Sequence, residues 1–265
     1  MRRAIIRGVI DLHAHILPGL DDGPATLEDS ADMAAAAVAG GTRVLAATSH
    51  VNRGFALLPE DLAPAREQVA ARLREEGIPL EVVQGGEVSI ARVDGLDEAD
   101  LRALTLGGGP WLLLECPLSP QAPPMEPIVA ALQQRGLRIL LAHPERSPTF
   151  MRSPRALERL VGMGALAQIT STSFAGRFGD IVRKVSFEML ERDHAHVIAS
   201  DAHGADGRPP DLHCALEALE RRYEDPRALF DWMTDGVPAA ILAGEKLPPR
   251  PPLPRKRSLL GRFKR

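Results

Sequence analysis

The chain should fold as an α/β protein, a distorted, TIM-like β/α barrel of about seven strands. Three observations lead there. Strand-like and helix-like segments alternate along most of the 265 residues, an order that implies right-handed crossovers and a parallel sheet. Short islands of His, Asp, Glu and Arg close apolar runs that read as strands, so polar chemistry gathers at one strand end. No glycine-rich dinucleotide fingerprint follows the first strand, and Gly107-Gly108-Gly109-Pro110 lacks the lysine and helix of a phosphate loop. A closed or distorted barrel is therefore favoured over an open doubly wound sheet.

Taken in order, Val9 to Leu12 reads as the first strand. Thr26 can cap an alanine-rich helix that carries Glu28 and Asp29 in its first turn and stops at Gly40-Gly41. Arg43 to Thr48 is the second strand. A helix over Pro59 to Glu76 follows, with Leu62, Ala65, Val69 and Leu73 on one face. Leu80 to Val83 runs into Glu87, and Trp111 to Leu114 runs into Glu115. A helix from Glu126 to Gln134 precedes Leu137 to Leu141, which runs into His143. The pattern repeats with Pro154 to Met163 and Leu166 to Ile169, then with Ile181 to Arg192 and His196 to Ala199. Helices over Asp211 to Arg222 and Arg227 to Thr234 close the body.

Composition sets further bounds. A hydrophobic content of 45% lets one domain bury a substantial core. A net charge of −3 argues against a dedicated nucleic-acid binder. Cys116 and Cys214 form no CxxC and suggest neither a disulfide framework nor a zinc knuckle, so a reduced, cytoplasmic setting is expected. The start of the chain has only a very short apolar run, broken by Arg7, and reads as no signal peptide. The body should span residues 1–247. Residues 248–265 then read as a stiff, proline-rich linker followed by a basic tail. That tail, Arg255 to Arg265, mixes Lys and Arg with Leu259, Leu260 and Phe263. It is either a disordered solubilising end or a weak contact for anionic membrane or an acidic partner.

The islands carry the chemistry. His13 and His15 stand two apart on a strand, so both imidazoles point to the same side, and neutral imidazole suits Zn, Mn and Fe alike. Asp21-Asp22-Gly23 is ordinary turn chemistry by itself; downstream of the His pair, Asp22 becomes a ligand candidate. His50 ends the second strand, and Glu87 follows Gly85-Gly86, where the backbone can come close. Glu115 follows four apolar residues, where a carboxylate is costly unless paired or metal-bound. His143 ends another apolar strand. Asp201 and His203 repeat the alternate spacing of the first island. His194 and His196 lie at the start of a strand, at the opposite pole, and read as structural; His213 reads as a helical surface residue. Arg146 and Arg208 follow His143 and His203 closely. Either they balance Glu145 and Asp206, or they grip an anionic substrate, since the guanidinium fork holds two phosphate oxygens at once.

Together these motifs resemble the polymerase-and-histidinol-phosphatase (PHP) superfamily, and more narrowly its manganese-dependent bacterial protein-tyrosine phosphatases of capsule and exopolysaccharide synthesis. The resemblance rests on Asp11-Leu-His-Ala-His-Ile-Leu-Pro-Gly-Leu-Asp-Asp-Gly23, Ala47-Thr-Ser-His50, Gly86-Glu-Val88, Ala142-His-Pro-Glu-Arg146, Val197-Ile-Ala-Ser-Asp-Ala-His203 and Gly207-Arg-Pro-Pro210. It covers Val9 to Leu242. It implies a barrel of the PHP type and a metallophosphatase domain over residues 1–247. It implies three divalent metal ions, Mn foremost with Fe or Zn as alternatives. The implied ligands are His13, His15, Asp22, His50, Glu87, Glu115, His143, Asp201 and His203, with Glu87 bridging two ions. Arg146 and Arg208 would hold phosphate, and Asp201 would serve with them in catalysis.

The implied substrate is a phosphotyrosine protein, foremost the autophosphorylated tail of a membrane-associated tyrosine kinase. The enzyme would be cytoplasmic, with a peripheral position at the inner membrane face if the basic tail engages it. Water would attack phosphorus in line with no covalent phosphoenzyme, because neither cysteine has the Cys-x5-Arg spacing of thiol phosphatases: Ala122 and Glu220 stand where the arginine would be. Two rivals stay open. One is a small-molecule phosphoesterase of histidinol-phosphate or nucleotide type; the other is a metal-stabilised scaffold without turnover.

Overall fold

A computed structural model describes residues 8–257. The amino-terminal stretch read as no signal peptide lies largely outside the described residues, as does the basic tail beyond Arg257. The strands are β1 (Val9–Ala14), β2 (Thr42–Ala47), β3 (His50–Val51), β4 (Glu81–Gln84), β5 (Glu87–Ser89), β6 (Trp111–Glu115), β7 (Arg138–Ala142), β8 (Leu166–Thr170) and β9 (Val197–Ala199). The helices are α1 (Leu27–Ala39), α2 (Pro59–Glu75), α3 (Glu98–Ala103), α4 (Glu126–Gln134), α5 (Pro148–Arg152) and α6 (Pro154–Gly162). After them come α7 (Ser171–Ala175), α8 (Asp180–Glu191), α9 (His213–Arg222), α10 (Arg227–Asp231) and α11 (Val237–Ala243).

The ladders between these strands are parallel, in the orders β1-β2-β4 and β3-β5-β6-β7-β8-β9. Two of the nine strands continue a predecessor after a break: β3 prolongs β2 across Thr48-Ser49, and β5 prolongs β4 across Gly85-Gly86. Seven positions therefore surround the core, as expected. The seam between β9 and β1 is not a full ladder. An isolated bridge joins Ala14 to Ala202, and His15 N and Asp201 N donate to Ala202 O and His13 O, each at 2.8 Å.

The breaks have local causes. Thr48 Oγ1 accepts from Ala14 N at 3.0 Å, so a side chain stands in for the ladder where β2 ends. Gly85 and Gly86 pass where no Cβ fits: one would sit 2.9 Å from Thr48 Cγ2 and the other 2.7 Å from Leu104 Cδ2. The strand bends inward there and delivers Glu87 to the mouth.

Apolar strand residues fill the interior. Leu112, Leu113 and Leu114 of β6 and Ile139, Leu140 and Leu141 of β7 are fully buried, each contributing about 1.5–3 kcal/mol relative to exposure. Outside them α1 begins with the expected cap, Thr26 accepting from Asp29 N while Asp29 reaches back to Thr26 N. The last expected helix runs further than its periodicity indicates. A π-turn over Trp232–Gly236 carries α10 into α11.

The proline-rich segment lies against the body. Pro248 O accepts from Trp232 Nε1 at 3.0 Å, Arg250 donates to Leu190 O at 2.9 Å, and Lys256 reaches Glu191 at 2.9 Å. Glu224 N donates to Arg255 O, and Arg257 N to Arg222 O, both at 2.8 Å. Prolines cannot donate into a ladder but keep their carbonyls, and here Pro248 uses one to cap an indole.

Candidate metal centre

The carboxyl ends of the strands and the loops beyond them bring the sequence-derived candidates together. His13 and His15 leave β1 on the same side, their Nε2 atoms 3.3 Å apart. Glu87 is fully buried between the imidazoles. Its Oε1 lies 2.8 Å from His143 Nε2, and its Oε2 lies 2.8 Å from His50 Nδ1, 3.4 Å from His13 Nε2 and 3.5 Å from His15 Nε2. Asp201 Oδ1 is 3.5 Å from Nε2 of both His13 and His15. On the outer side, Asp22 Oδ1 lies 3.2 Å from His203 Nε2 and 3.5 Å from His50 Nε2.

Three groups of donors have the spacing an ion needs: His15 with Asp22, His50 and His203; His13 with His15 and Glu87; and His50 with Glu87 and Glu115. Within each, the donor atoms all lie within 4.8 Å of one another. Two donors each about 2.1 Å from a tetrahedral ion stand about 3.4 Å apart, close to the distances His13 and His15 keep from Glu87. The fit has a second support: Glu87 Oε2, buried among three imidazoles, makes no well-aligned hydrogen bond even though His50 Nδ1 is 2.8 Å away.

Backbone geometry shapes this mouth. His143 (φ 36°) and Asp201 (φ 52°) are in the left-handed region, uncommon for residues with a Cβ. Each follows the end of its strand, and the reversal turns its side chain back over the barrel. Such strain costs on the order of 1 kcal/mol or more and concentrates at functional sites.

Electrostatics point the same way. Burial opposes ionisation of Glu87, yet His13, His143 and His50 outweigh it and hold the carboxyl well below the usual range. Burial likewise opposes charge on Asp201, and His13, His15 and Arg208 keep it far below normal. Burial alone would disfavour a proton on His15, but Asp201, Asp21 and the charge of Glu87 push the ring up to about 10. Burial, with the positive charges of His15 and Arg208, pulls His203 down to about 4. Burial and the Glu87 charge raise Glu115. The anionic field that favours a proton on His15 is the field that would favour a divalent cation.

Sequence reasoning passed over the residues behind this shell. Asp21 Oδ2 accepts from His15 Nδ1 at 2.8 Å and from His50 N at 2.9 Å, while its Oδ1 takes Gly23 N. Gln168 Oε1 sits 3.0 Å from His13 Nδ1 and accepts His143 N at 3.3 Å. An Nδ1–H held this way leaves the Nε2 lone pair facing the centre. Signals existed: Asp21 is the unused half of Asp21-Asp22, and Gln168 interrupts the apolar run Leu166–Ile169. Asp21→Asn is expected to weaken metal retention roughly 10–100-fold. Metal content after graded chelation measures it, and retention equal to wild type would remove Asp21 from this role.

The two arginines meet at the rim. Arg146 Nη1 and Arg208 Nη2 both lie 2.6 Å from Asp201 Oδ2, and Arg146 stacks on Phe178 with 4.4 Å from its guanidinium carbon to the ring centre. Neither balances the acid beside it in sequence. Glu145 is buried, and its Oε1 accepts Thr170 N at 3.0 Å and Ser173 Oγ at 2.7 Å; Arg208 reaches Asp201 rather than Asp206.

Among the remaining histidines, His196 sits at the other end of the barrel, its Nδ1 accepting from Ala167 N at 3.2 Å, with burial and Arg250 lowering it to about 4. His213, expected on a helix surface, is half-buried and donates to Gly40 O at 2.8 Å, tying α9 to the end of α1.

Comparison with known proteins decides the family. The model for "Capsular polysaccharide synthesis, CpsB/CapC" matches residues 9–231. The chain belongs to this CpsB/CapC family. The resemblance read from the motifs is thereby borne out. The tyrosine-protein phosphatase YwqE of Bacillus subtilis is 35% identical over 257 residues, covering 96% of this chain and all of that protein. CpsB of Streptococcus pneumoniae, also a tyrosine-protein phosphatase, is 28% identical over 227 residues, 83% of this chain and 93% of its own. A solved structure from the pair YwqE and CpsB, described as unique metal-dependent tyrosine phosphatases, superposes with a TM-score of 0.82. It shares 35% identity over 94% of this chain and all of that one. An amidohydrolase from Mycoplasma synoviae, at 9% identity and a TM-score of 0.59 over 93% of this chain and 90% of its own, shares the fold alone. The barrel class expected from the sequence agrees with both.

Proposed function

We propose that this CpsB/CapC-family chain is a metal-dependent protein-tyrosine phosphatase acting in capsular or exopolysaccharide synthesis. One observation carries the reading: two guanidiniums converge on one oxygen of Asp201 at the edge of a cluster of imidazoles and carboxylates. A structural metal site has no use for two such clamps, whereas a phosphoryl group does. Family membership and the phosphatase names of its relatives support it.

In this reading His13, His15, Asp22, His50, Glu87, Glu115, His143, Asp201 and His203 would hold three divalent ions, Mn foremost and Fe or Zn otherwise. Ions bound there would lower the pKa of water towards neutrality and polarise phosphoryl oxygens. The chain's residues supply the rest. Arg146 and Arg208 grip equatorial phosphoryl oxygens and stabilise charge as the ester bond breaks. Asp201 Oδ2 keeps both forks aimed at that point. A phenolate, with a parent pKa near 10, leaves without strong acid assistance, which favours phosphotyrosine over alkyl phosphates. The partner is then a phosphotyrosine protein, foremost the tail of a membrane-associated tyrosine kinase. No helix among the described residues is long and apolar enough to cross a membrane.

The test compares turnover of a phosphotyrosine peptide with that of histidinol phosphate, alongside elemental analysis of the purified protein. A preference for histidinol phosphate would move the chain to the small-molecule phosphoesterases; bound metal without turnover would make it a scaffold.

No thiol takes part. Burial raises Cys116 well above its ordinary range, with Glu145 and Glu115 adding to the shift, and burial pushes Cys214 up to about 11, so neither is a thiolate at neutral pH. The Cys116→Ser and Cys214→Ser double variant is expected to keep kcat within about twofold, a change under about 0.5 kcal/mol in barrier. Loss of turnover in a variant with unchanged Tm would contradict hydrolysis without a covalent phosphoenzyme.

A further inference from the structure

A groove of about 760 Å³ lies between α8, α9 and the last described residues, on the outside of the barrel. Arg183, Lys184, Arg221, Arg222, Lys256 and Arg257 line it, against the acids Asp180, Glu188 and Glu191. Six cations gathered in one groove stand out on a chain whose net charge is negative. Each lining acid already has a cation: Glu191 holds Arg222, Lys256 and the Tyr223 hydroxyl, Asp180 lies 2.8 Å from Arg183, and Glu188 lies 3.7 Å from Lys184. Arg221 pairs with Glu217 at 2.9 Å. The lining still carries six cations against three acids. Phe187 and Phe174 line the groove as well, with Arg222 stacked 4.7 Å over the Phe187 ring.

Position links this groove to the mouth. Its upper end is lined by Phe174, Ala175 and Asp180, which flank the loop carrying Phe178, the ring beneath Arg146. Arg177 of the same loop donates to Gly207 O, next to Arg208. A peptide leaving the two arginine clamps past Phe178 therefore meets α8 at its first turn, where Ile181 is 72% exposed.

We propose that the α8–α9 groove binds an acidic stretch of the phosphotyrosine protein, flanking the phosphorylated residue, and so selects among substrates. The inference rests on the phosphatase reading above. α8 has 12 residues, about 18 Å at 1.5 Å per residue, which an extended peptide spans in about five residues. Lys256 and Arg257 of the chain itself already form part of the groove's wall and add to its positive charge, which makes an acidic segment of another protein the complementary occupant.

The test uses the full-length, metal-loaded protein and two phosphotyrosine peptides of equal length, one flanked by five glutamates and one by five serines, with p-nitrophenyl phosphate as a substrate too small to reach the groove. Wild type should show a KM for the acidic peptide lower by about tenfold, the size that a few surface ion pairs supply together. The variant R183E/K184E/R221E changes side chains that are 49%, 77% and 64% exposed, and it should bring the two KM values together. Turnover of p-nitrophenyl phosphate should not change. Raising salt from about 0.05 M to about 0.5 M should erase the wild-type preference, because the shorter screening length weakens attraction between exposed charges. Equal KM values in wild type, or a preference that survives the charge reversal, overturn the proposal. Anionic vesicles that bind wild type but not the variant, with no peptide preference, would assign the groove to a membrane and equally overturn it. Failure on p-nitrophenyl phosphate and both peptides alike would instead strike the phosphatase reading.

Discussion

Glu87→Gln should lower kcat/KM on a phosphotyrosine peptide by at least about a thousandfold, some 4 kcal/mol of lost transition-state stabilisation. Glu87 is fully buried, and its two oxygens lie between 2.8 and 3.5 Å from His143, His50, His13 and His15. It belongs to two of the three donor groups, so one substitution weakens both. Glutamine keeps the volume but replaces an acceptor oxygen with an N–H donor and removes a full charge from a site whose field depends on it. The variant should therefore fold and lose metal. Elemental analysis, steady-state kinetics and a thermal melt on one preparation check this together. Full metal content with ordinary turnover would show that the cluster can spare its central carboxylate.

The second large effect is at the rim. Arg146→Ala and Arg208→Ala should each cost about 10²–10³ in kcat/KM, the usual loss for one donor aimed at developing charge. Inorganic phosphate should inhibit both variants more weakly. The two side chains share Asp201 Oδ2 at 2.6 Å, so the double variant should cost less than the product of the single losses. Lysine should rescue little, since one ammonium cannot grip two oxygens in a plane. Metal content should stay unchanged in these variants, which separates them from Glu87→Gln. Near wild-type kinetics in both single variants would return the arginines to ordinary charge balance.

The strands and the direction of the site were legible because both rest on short-range patterns. Apolar runs such as Leu112–Leu114 and Ile139–Leu141 declare buried strands, and each runs into an acid or an imidazole at its carboxyl end. In a parallel barrel those ends share one face, so Glu115 and His143 had to lie near His13 and His15 once the strands paired in parallel. Asp21 was missed for a specific reason: in a turn, Asp21 and Asp22 are chemically alike, and only the path of the loop decides which reaches His15 Nδ1. Gln168 read as part of a strand, and its contact with His13 spans 155 residues of chain. The proline-rich segment looked like a spacer because composition reports stiffness and is silent about docking; Trp232 and Glu191 hold it in place.

By itself the sequence determined the alternation of elements, the parallel sense of the sheet and the kinds of donor atom that gather at one pole. These follow from periodicity and side-chain chemistry within ten residues or so. Tertiary structure alone decided which donors share a centre, that both guanidiniums turn to Asp201, and that cations of α8, α9 and the last described residues line one groove. Those facts are distances between residues far apart in the chain. They exist only once β9 closes on β1 and the strained backbones of His143 and Asp201 swing their side chains over the barrel.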